Sequence, residues 1–396
     1  MKVLHINTHL RGGAAKACVR LHEGLLEIGV DSKVLVLENV KTDVPEVYSY
    51  VNFYKNPIQK ARKKLAARLA GRRRRSKLMT YPKVSDGFYF TDSPFDITQN
   101  PLYQEADIIH LHWVNDFLDY PSFFTKNKKP LVWTMHDMSP FSGGNAFEKN
   151  FPFEAYEKLI RPQIELKKTW YKNQNMTIVT PSEWMSKKAA QSETLEGITI
   201  HPIPYCLNIN KFKAVEKDEA RTSLRLPYDS TIVLFVADSV SSERKGIDLF
   251  LEAMRTLYVN NLLLLVVGNS WEAPEKIPPH RYFGTVQSEE KMSLIYSAAD
   301  VFVIPSREDN FPNTVLESLC CGTPVVGFEV GGIPEQIEHG KNGALCPVID
   351  PFQLKTTILE LLKTDINREA ISAEAQKKYA NSIQAKRMKT LYDSLL

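Results

Sequence analysis

Twelve short apolar runs recur along the 396 residues, and most of them are apolar at nearly every position. Examples are KVLHIN at residues 2–7, TIVLFVA at 231–237 and VFVIPS at 301–306. Strands with continuous rather than alternating apolarity are covered on both faces, which is the signature of parallel sheets in α/β folds. Helical stretches fit between the runs, so the sequence predicts an α/β protein with parallel sheets.

The length predicts two domains rather than one, because single hydrophobic cores seldom grow to this size. A polar stretch without a strand signal follows residue 205 and ends in a Pro-Tyr-Asp turn before residue 230. We therefore place the domain junction near residues 206–212. The prediction is two doubly wound domains that face each other across a cleft, with ligands at the carboxyl ends of the strands.

Composition and cysteine usage indicate a cytoplasmic protein. The hydrophobic content of 43% and the charged content of 24% are ordinary for a globular chain. Five cysteines without a CxxC spacing fit reduced thiols better than disulfides or a zinc site. The N-terminus MKVLHINTHL lacks the apolar core of a signal peptide, and the run LLLLVV is too short to span a bilayer. A membrane contact would therefore be peripheral, on the inner face of the cell membrane.

One segment, residues 55–77, is strongly basic. It holds eleven Lys or Arg and no acid, so the rest of the chain carries −7 against the whole-chain charge of +4. Ile58, Ala61, Leu65 and Leu69 would line one side of a short amphipathic helix, with a tetra-arginine tail after it. The segment is a solvated insertion, a nucleic-acid patch or a surface for anionic lipid; we favour the lipid surface over nucleic acid, for which no motif is present.

The stretch REDNFPNTVLESLCCGTPVV, residues 307–326, carries two acids eight positions apart. Asp309 follows a strand in a loop, and Glu317 lies inside the helix that the loop opens, which ends near Gly322. The loop and the first amides of the helix suit an anion such as a diphosphate. Ionised carboxylates beside that anion would accept hydrogen bonds from sugar hydroxyls. Alone, the pair is equally compatible with a solvated helix acid and a loop acid.

The wider pattern PSREDNFPNTVLESLCCGTPVVGFEVGGIPE resembles the core of glycosyltransferase family 4, whose members are retaining, nucleotide-sugar-dependent enzymes of the GT-B fold. KVLHINTHLRGGAAKACVRLHEGL, LVWTMHDMSPFSGG, ERKGIDLFLEA and GKNGALCP resemble further segments of that family. The resemblance therefore extends over most of the chain. It implies two Rossmann-like domains at residues 1–206 and 207–380, with a final helix at 381–396 that returns to the first domain.

The resemblance also implies roles for particular residues. Glu317 would bind the ribose hydroxyls of the donor, Asp309 the hydroxyls of the transferred sugar, and His136 would lie near the anomeric carbon and the acceptor. The donor-binding set would comprise Gly12, Gly13, Arg244, Lys245, Asn310, Phe311, Pro312, Asn313, Gly332 and Glu335. No cofactor and no essential metal are expected. His110 and His112 are taken to lie on opposite faces of a strand, which argues against a shared metal site.

The sequence departs from the family pattern where E-G-F-G is replaced by D-N-F-P. Asp is shorter than Glu by about 1.5 Å, and Pro312 removes an amide donor. These changes bear on the identity of the donor sugar more than on the reaction.

The expected function is transfer of a hexose from UDP- or GDP-sugar to a glycan or lipid-linked acceptor, in surface polysaccharide or lipopolysaccharide assembly. The alternatives are a non-catalytic nucleotide-sugar or nucleic-acid binding protein, and a sugar-nucleotide epimerase or phosphorylase on the same fold.

Overall fold

The computed structural model describes residues 1–39, 41–54 and 56–396. Lys55, the first residue of the predicted basic segment, lies outside the described residues. The strands in chain order are β1 Lys2–Asn7, β2 Asp31–Val36, β3 Val47–Ser49, β4 Ile108–Leu111, β5 Leu131–Thr134, β6 Met176–Thr180, β7 Thr199–Pro202, β8 Thr231–Ser239, β9 Leu262–Asn269, β10 His280–Tyr282, β11 Val301–Ile304, β12 Val325–Phe328 and β13 Gly343–Cys346.

The α-helices in the same residues are α1 Gly12–Glu27, α2 Pro57–Leu78, α3 Pro101–Glu105, α4 Tyr120–Lys126, α5 Phe153–Tyr171, α6 Glu183–Ala190, α7 Lys217–Leu224, α8 Ile247–Arg255, α9 Glu289–Ala298, α10 Asn313–Cys320, α11 Pro351–Leu362, α12 Arg368–Tyr379 and α13 Asn381–Asp393. Four short 3-10 helices add Tyr50–Phe53, Ile97–Gln99, Glu243–Lys245 and Ile333–Glu335.

Both sheets are parallel and share one strand order. The first runs β3-β2-β1-β4-β5-β6-β7, and the second runs β10-β9-β8-β11-β12-β13. In each, the chain builds outward in one direction, returns to the middle and builds in the other, as in a Rossmann-like sheet. The order reverses between β1 and β4 in the first sheet and between β8 and β11 in the second. The predicted class, α/β with two Rossmann-like sheets, is confirmed.

The chain divides into two compact units. The first comprises Met1–Pro204 and Gln384–Leu396, and the second comprises Tyr205–Ile383. In the first unit, one face of the sheet packs on Ala385, Met388 and Tyr392 of α13 through an aliphatic cluster. In the second unit, the strands pack on α8 and α11 through a separate cluster that includes Phe250 and Ile358.

Sequence patterns located the strands better than the helix ends. All twelve predicted runs overlap a strand, and the half-buried three-residue strand β3 was missed. The helical pattern from Asn367 to the C-terminus shows no local interruption, but the chain forms two helices there. Helices α12 and α13 are separated at Ala380, whose backbone is extended and forms a β-bridge with Leu207.

The basic segment forms one long helix, α2, with no buried residue. Its four consecutive arginines continue the helix instead of forming a tail after it, because nothing in RLAGRRRRSK breaks a helix except one tolerated glycine. Ile58, Leu65 and Leu69 are exposed along the predicted apolar side. In the described part of the chain, no helix combines the length and the apolar character that a bilayer crossing needs.

Candidate functional site

The loop that leaves β11 buries a carboxylate between two cations. Asp309 Oδ2 lies 2.5 Å from Lys245 Nζ and 3.6 Å from Arg244 Nη1. It also accepts a hydrogen bond of 3.3 Å from the Ser306 hydroxyl. Burial alone would raise the pKa of Asp309, but the charges of Lys245 and Arg244 outweigh it and hold the pKa below its ordinary value. Asp309 is therefore ionised at neutral pH.

Backbone contacts fix the geometry of this cluster. Strands β8 and β11 are neighbours, so the loops after them leave the same edge of the sheet side by side. The Arg307 amide donates to the Arg244 carbonyl at 2.8 Å, and Arg244 Nη1 donates to the Glu308 carbonyl at 2.9 Å. Gly246 has φ +71°, and a Cβ there would lie 1.9 Å from the Pro305 carbonyl oxygen. Only glycine allows the two loops to approach this closely.

Glu317 lies in the second turn of α10 and is buried. The Tyr296 hydroxyl of α9 donates to Glu317 Oε2 at 3.0 Å. That contact fixes the direction of the carboxylate, which a solvated helix acid would not require. The solvated-helix alternative for Glu317 is therefore wrong.

The double-glycine loop reaches the Asp309 segment from a third strand end. The Gly332 amide donates to the Asp309 carbonyl at 3.0 Å, so this predicted residue is part of the cluster. Gly331 has φ +59°, and a Cβ there would lie 1.9 Å from the same carbonyl oxygen. Glu335 ends the short 3-10 helix that follows, and its amide donates to the Gly332 carbonyl.

The remaining predicted residues of this loop have different positions. Asn310 is buried, and its backbone amide donates to Asp309 Oδ1 at 3.1 Å. Phe311 packs edge-on against Tyr205 and Tyr379. Pro312 precedes α10, accepts a hydrogen bond from Gln336 at its carbonyl, and is followed by Asn313 as the first helical residue. Phe311 therefore has a packing role in addition to the predicted donor-binding role.

Three predicted residues belong to the first unit. Gly12 has φ +82° and begins α1 directly after the β1 loop, with Gly13 next to it. His136 is partly buried just beyond β5, and its Nε2 lies 3.0 Å from His112 Nδ1. Burial lowers the pKa of His136 to about 3, so the imidazole is neutral at pH 7. The structure brings His136 together with histidines that were not predicted as site residues.

The prediction that His110 and His112 lie on opposite faces is wrong. Residues two apart in a strand share a face, and the two rings lie 4.2 Å apart between centroids. With His5, they offer three ring nitrogens within 4.8 Å of one another. The spacing HLHW, together with HINTH and TMHD on neighbouring strands, was the sequence signal for this cluster.

Comparison with known proteins gives a consistent family. Residues 230–364 match the family model described as glycosyl transferases group 1. The chain is similar to a D-inositol 3-phosphate glycosyltransferase of Thermobispora bispora, with 27% identity over 323 residues that cover 73% of this chain and 71% of that protein.

Two solved structures share the fold over the whole chain. A sucrose-phosphate synthase of Thermosynechococcus elongatus has a TM-score of 0.70 at 17% identity, covering 100% of this chain and 99% of the other. Anabaena HepE, in complex with UDP-glucose, has a TM-score of 0.68 at 15% identity and full coverage of both chains. The chain is thus homologous to the group 1 glycosyltransferases (glycosyltransferase family 4): it is a nucleotide-sugar glycosyltransferase of the hexosyltransferase class with the GT-B fold.

Proposed function

We propose that this enzyme binds a nucleoside diphosphate sugar on the second unit and transfers the sugar to an acceptor hydroxyl with retention of anomeric configuration. The observation that carries the proposal is the buried cluster of Asp309, Lys245 and Arg244 beside the N-terminus of α10. Two cations, helix-end amides and an ionised carboxylate stand together where the strand order reverses, which is where such sheets bind ligands.

Each group has a chemical task in this proposal. Lys245 and Arg244 bind the diphosphate and stabilise the negative charge that grows on it as it leaves. Asp309 accepts hydrogen bonds from hydroxyls of the transferred sugar, and Glu317 accepts them from the ribose hydroxyls. The Gly332 loop holds the Asp309 backbone in place.

The reaction is a front-side displacement. The bond between the anomeric carbon and the diphosphate oxygen breaks, and both electrons stay on that oxygen. The acceptor oxygen forms the new bond on the same face, and its proton passes to the departing diphosphate. His136 is assigned to the acceptor side of the reaction, near the anomeric carbon, and Gly12 and Gly13 are assigned to the donor.

Incubation with UDP-sugars and GDP-sugars, with detection of free nucleoside diphosphate, tests transfer directly. NMR of the product then reports the anomeric configuration and separates transfer from epimerisation or phosphorolysis. Asp309→Ala and Glu317→Ala should abolish most turnover, whereas Glu360→Ala, an exposed acid on α11, should not. Full activity of both site variants would refute the site, and an absence of turnover with every donor would favour a binding protein.

Uridine diphosphate sugars are the first donors to test. HepE, which shares the fold, is described in complex with UDP-glucose. A thermal-shift comparison of UDP with GDP separates the two bases, because only the bound nucleotide raises the melting temperature. A larger shift with GDP would overturn the choice of uridine.

We further propose that α2 rests on an anionic membrane surface and brings the enzyme to a lipid-linked acceptor of surface polysaccharide or lipopolysaccharide assembly. Ile58, Leu65 and Leu69 are each more than half exposed and share one side of the helix. Arg74 is anchored to the body of the unit through Asp116 and Asp92, which turns the apolar side outward.

The basic side chains next to the apolar side make the surface complementary to anionic lipid, with each near-surface Lys or Arg worth about 1 kcal/mol. Replacing Arg72, Arg73 and Arg75 with Ser should weaken sedimentation with anionic vesicles at low salt and leave neutral vesicles unbound. Arg161→Ser, an exposed arginine on α5, is the matched control. Equal binding of the triple variant and the wild type would refute the membrane role.

A further inference from the structure

Three histidines of the first unit form an unbroken hydrogen-bonded chain. His5 lies on β1, and its Nδ1 is 2.9 Å from Nε2 of His112, which follows β4. His112 Nδ1 is in turn 3.0 Å from Nε2 of His136, which follows β5. His5 and His112 are buried, and the chain ends at the residue assigned above to the acceptor side.

The three rings are neutral. Burial lowers the pKa of each one, and neighbouring histidines lower it further for His5 and His112. A neutral imidazole carries one N–H, so a ring that bonds through both nitrogens donates at one and accepts at the other. His112 forms hydrogen bonds through both ring nitrogens, so the two hydrogen bonds among the three histidines run in one direction.

The inner end of the chain decides that direction. His5 Nε2 is buried and has no hydrogen-bond partner among the described residues. If the hydrogen bonds ran from His136 towards His5, this nitrogen would carry an orphaned N–H, and orphaned buried N–H groups are rare. If the hydrogen bonds run from His5 towards His136, His5 and His112 both carry hydrogen on Nδ1, and His136 accepts at Nε2. His136 then carries its own hydrogen on Nδ1.

His110 holds the middle of the chain in place. Its Nδ1 bonds the Tyr392 hydroxyl at 2.6 Å, and its Nε2 bonds the Thr134 hydroxyl at 2.8 Å. Its ring lies against His112 with 4.2 Å between centroids and a 30° angle between planes. Both nitrogens of His110 and of His112 are thus engaged in hydrogen bonds, which favours a relay over a metal site at this cluster.

We propose that His112 and His5 are positioning residues that fix His136 in its Nδ1–H tautomer, so that His136 donates a hydrogen bond to a substrate oxygen and does not act as a base. This inference rests on the proposed function of His136. It adds the direction of the hydrogen bond and the two buried residues that impose it.

The tautomers are measured by imidazole ¹⁵N chemical shifts in the purified full-length protein, with His136→Gln used to identify the His136 signals. We expect Nδ1–H for His5, His112 and His136. An Nε2–H tautomer at His136, or a stoichiometric metal ion found by elemental analysis together with metal-shifted nitrogens at His5 and His112, overturns the proposal. This measurement does not depend on activity, so it fails separately from the proposed function.

Substitutions at His112 test the functional consequence. The amide nitrogen of Asn overlaps the position of Nδ1, so His112→Asn keeps the donor to His136. The amide of Gln overlaps Nε2, so His112→Gln keeps only the contact with His5. We expect His112→Gln and His112→Leu to lower kcat about tenfold, the effect of one neutral hydrogen bond, with KM unchanged. His112→Asn should retain more of the activity.

The control is His22→Gln. His22 is a buried histidine of the same region whose nitrogens bond Ser32 and the Pro45 carbonyl, outside the chain. Equal losses in all the His112 variants and the control would mean that buried packing alone is responsible, and would overturn the inference. Wild-type turnover in His136→Gln would overturn the functional part even where the spectrum shows the expected tautomer.

Discussion

Lys245→Met should cost this enzyme most of its turnover while leaving it folded. Lys245 Nζ stands 2.5 Å from the buried Asp309 carboxylate, and the substitution removes one positive charge with little change in side-chain volume. Loss of one preorganised group that stabilises a developing anion costs about 2.7–4 kcal/mol, or about 10²–10³ in kcat. The assay is release of nucleoside diphosphate from the preferred donor in the presence of acceptor.

A lysine on α13 offers a matched control. Lys389 pairs with Asp393, and both side chains are exposed. Lys389→Met makes the same substitution and removes the same charge, but an exposed pair is worth only about 0–1 kcal/mol. We therefore expect wild-type kcat in this variant.

The unfolding free energy of Lys245→Met shows whether the substitution affects folding or only catalysis. Asp309 would keep Arg244 at 3.6 Å and Ser306 at 3.3 Å, and its pKa would rise because the largest opposing charge is gone. The cost in unfolding free energy should be about 2 kcal/mol, measured by thermal unfolding. A loss of kcat below about tenfold, or an equal loss in Lys389→Met, would refute the assignment of Lys245 to the diphosphate.

Three further outcomes follow from the second unit. Glu317→Gln should weaken binding of the donor about tenfold by titration calorimetry, because a charge-assisted hydrogen bond to ribose is lost; unchanged affinity would contradict the role. Gly331→Ala should destabilise the protein by about 2–4 kcal/mol, since its Cβ meets the Asp309 carbonyl, whereas Gly340→Ala, with φ +81° and open space, should cost about 1 kcal/mol. Because the pKa of Asp309 is lowered in the folded protein, the ionised carboxylate stabilises the fold at pH values above its unfolded pKa of about 3.9. This stabilisation is lost as the pH falls from there through the folded pKa. Asp309→Asn should therefore reduce the fall in melting temperature between pH 5 and pH 3. An equal slope in both proteins would exclude Asp309 as a contributor.

The sequence was sufficient for the fold because parallel strands buried on both faces leave continuous apolar runs. Every run except that of β3 could be recognised in this way, and β3 is short and only half-buried. Local helix propensity does not reveal the break between α12 and α13, because Ala380 is a good helix former, and only the family resemblance placed a boundary there. Its extended backbone is imposed by pairing with Leu207, a contact far away in the sequence.

The candidate site, like the fold, could be predicted from the sequence only in part. Asp309, Lys245 and Gly332 come from three separate loops, and only the family pattern indicated that they belong together. The salt bridge between Asp309 and Lys245 has no local sequence signal, since it depends on β8 and β11 being neighbours. The histidine cluster does have a local signal in HLHW, because residues two apart in a strand share a face.

The carboxyl ends of the two sheets differ in charge. This difference supports the proposal that the second unit binds the diphosphate and that the histidines of the first unit serve the acceptor. At the reversal point of the second sheet, the basic side chains of Arg244 and Lys245 contact the carboxylate of Asp309, whose pKa is lowered. At the reversal point of the first sheet, the buried histidines have lowered pKa values and carry no charge at pH 7. A diphosphate bears at least two negative charges, and a neutral imidazole offers it one hydrogen bond at most. Under the proposed function, the second unit would therefore stabilise the diphosphate, and the histidine chain would orient an uncharged hydroxyl group.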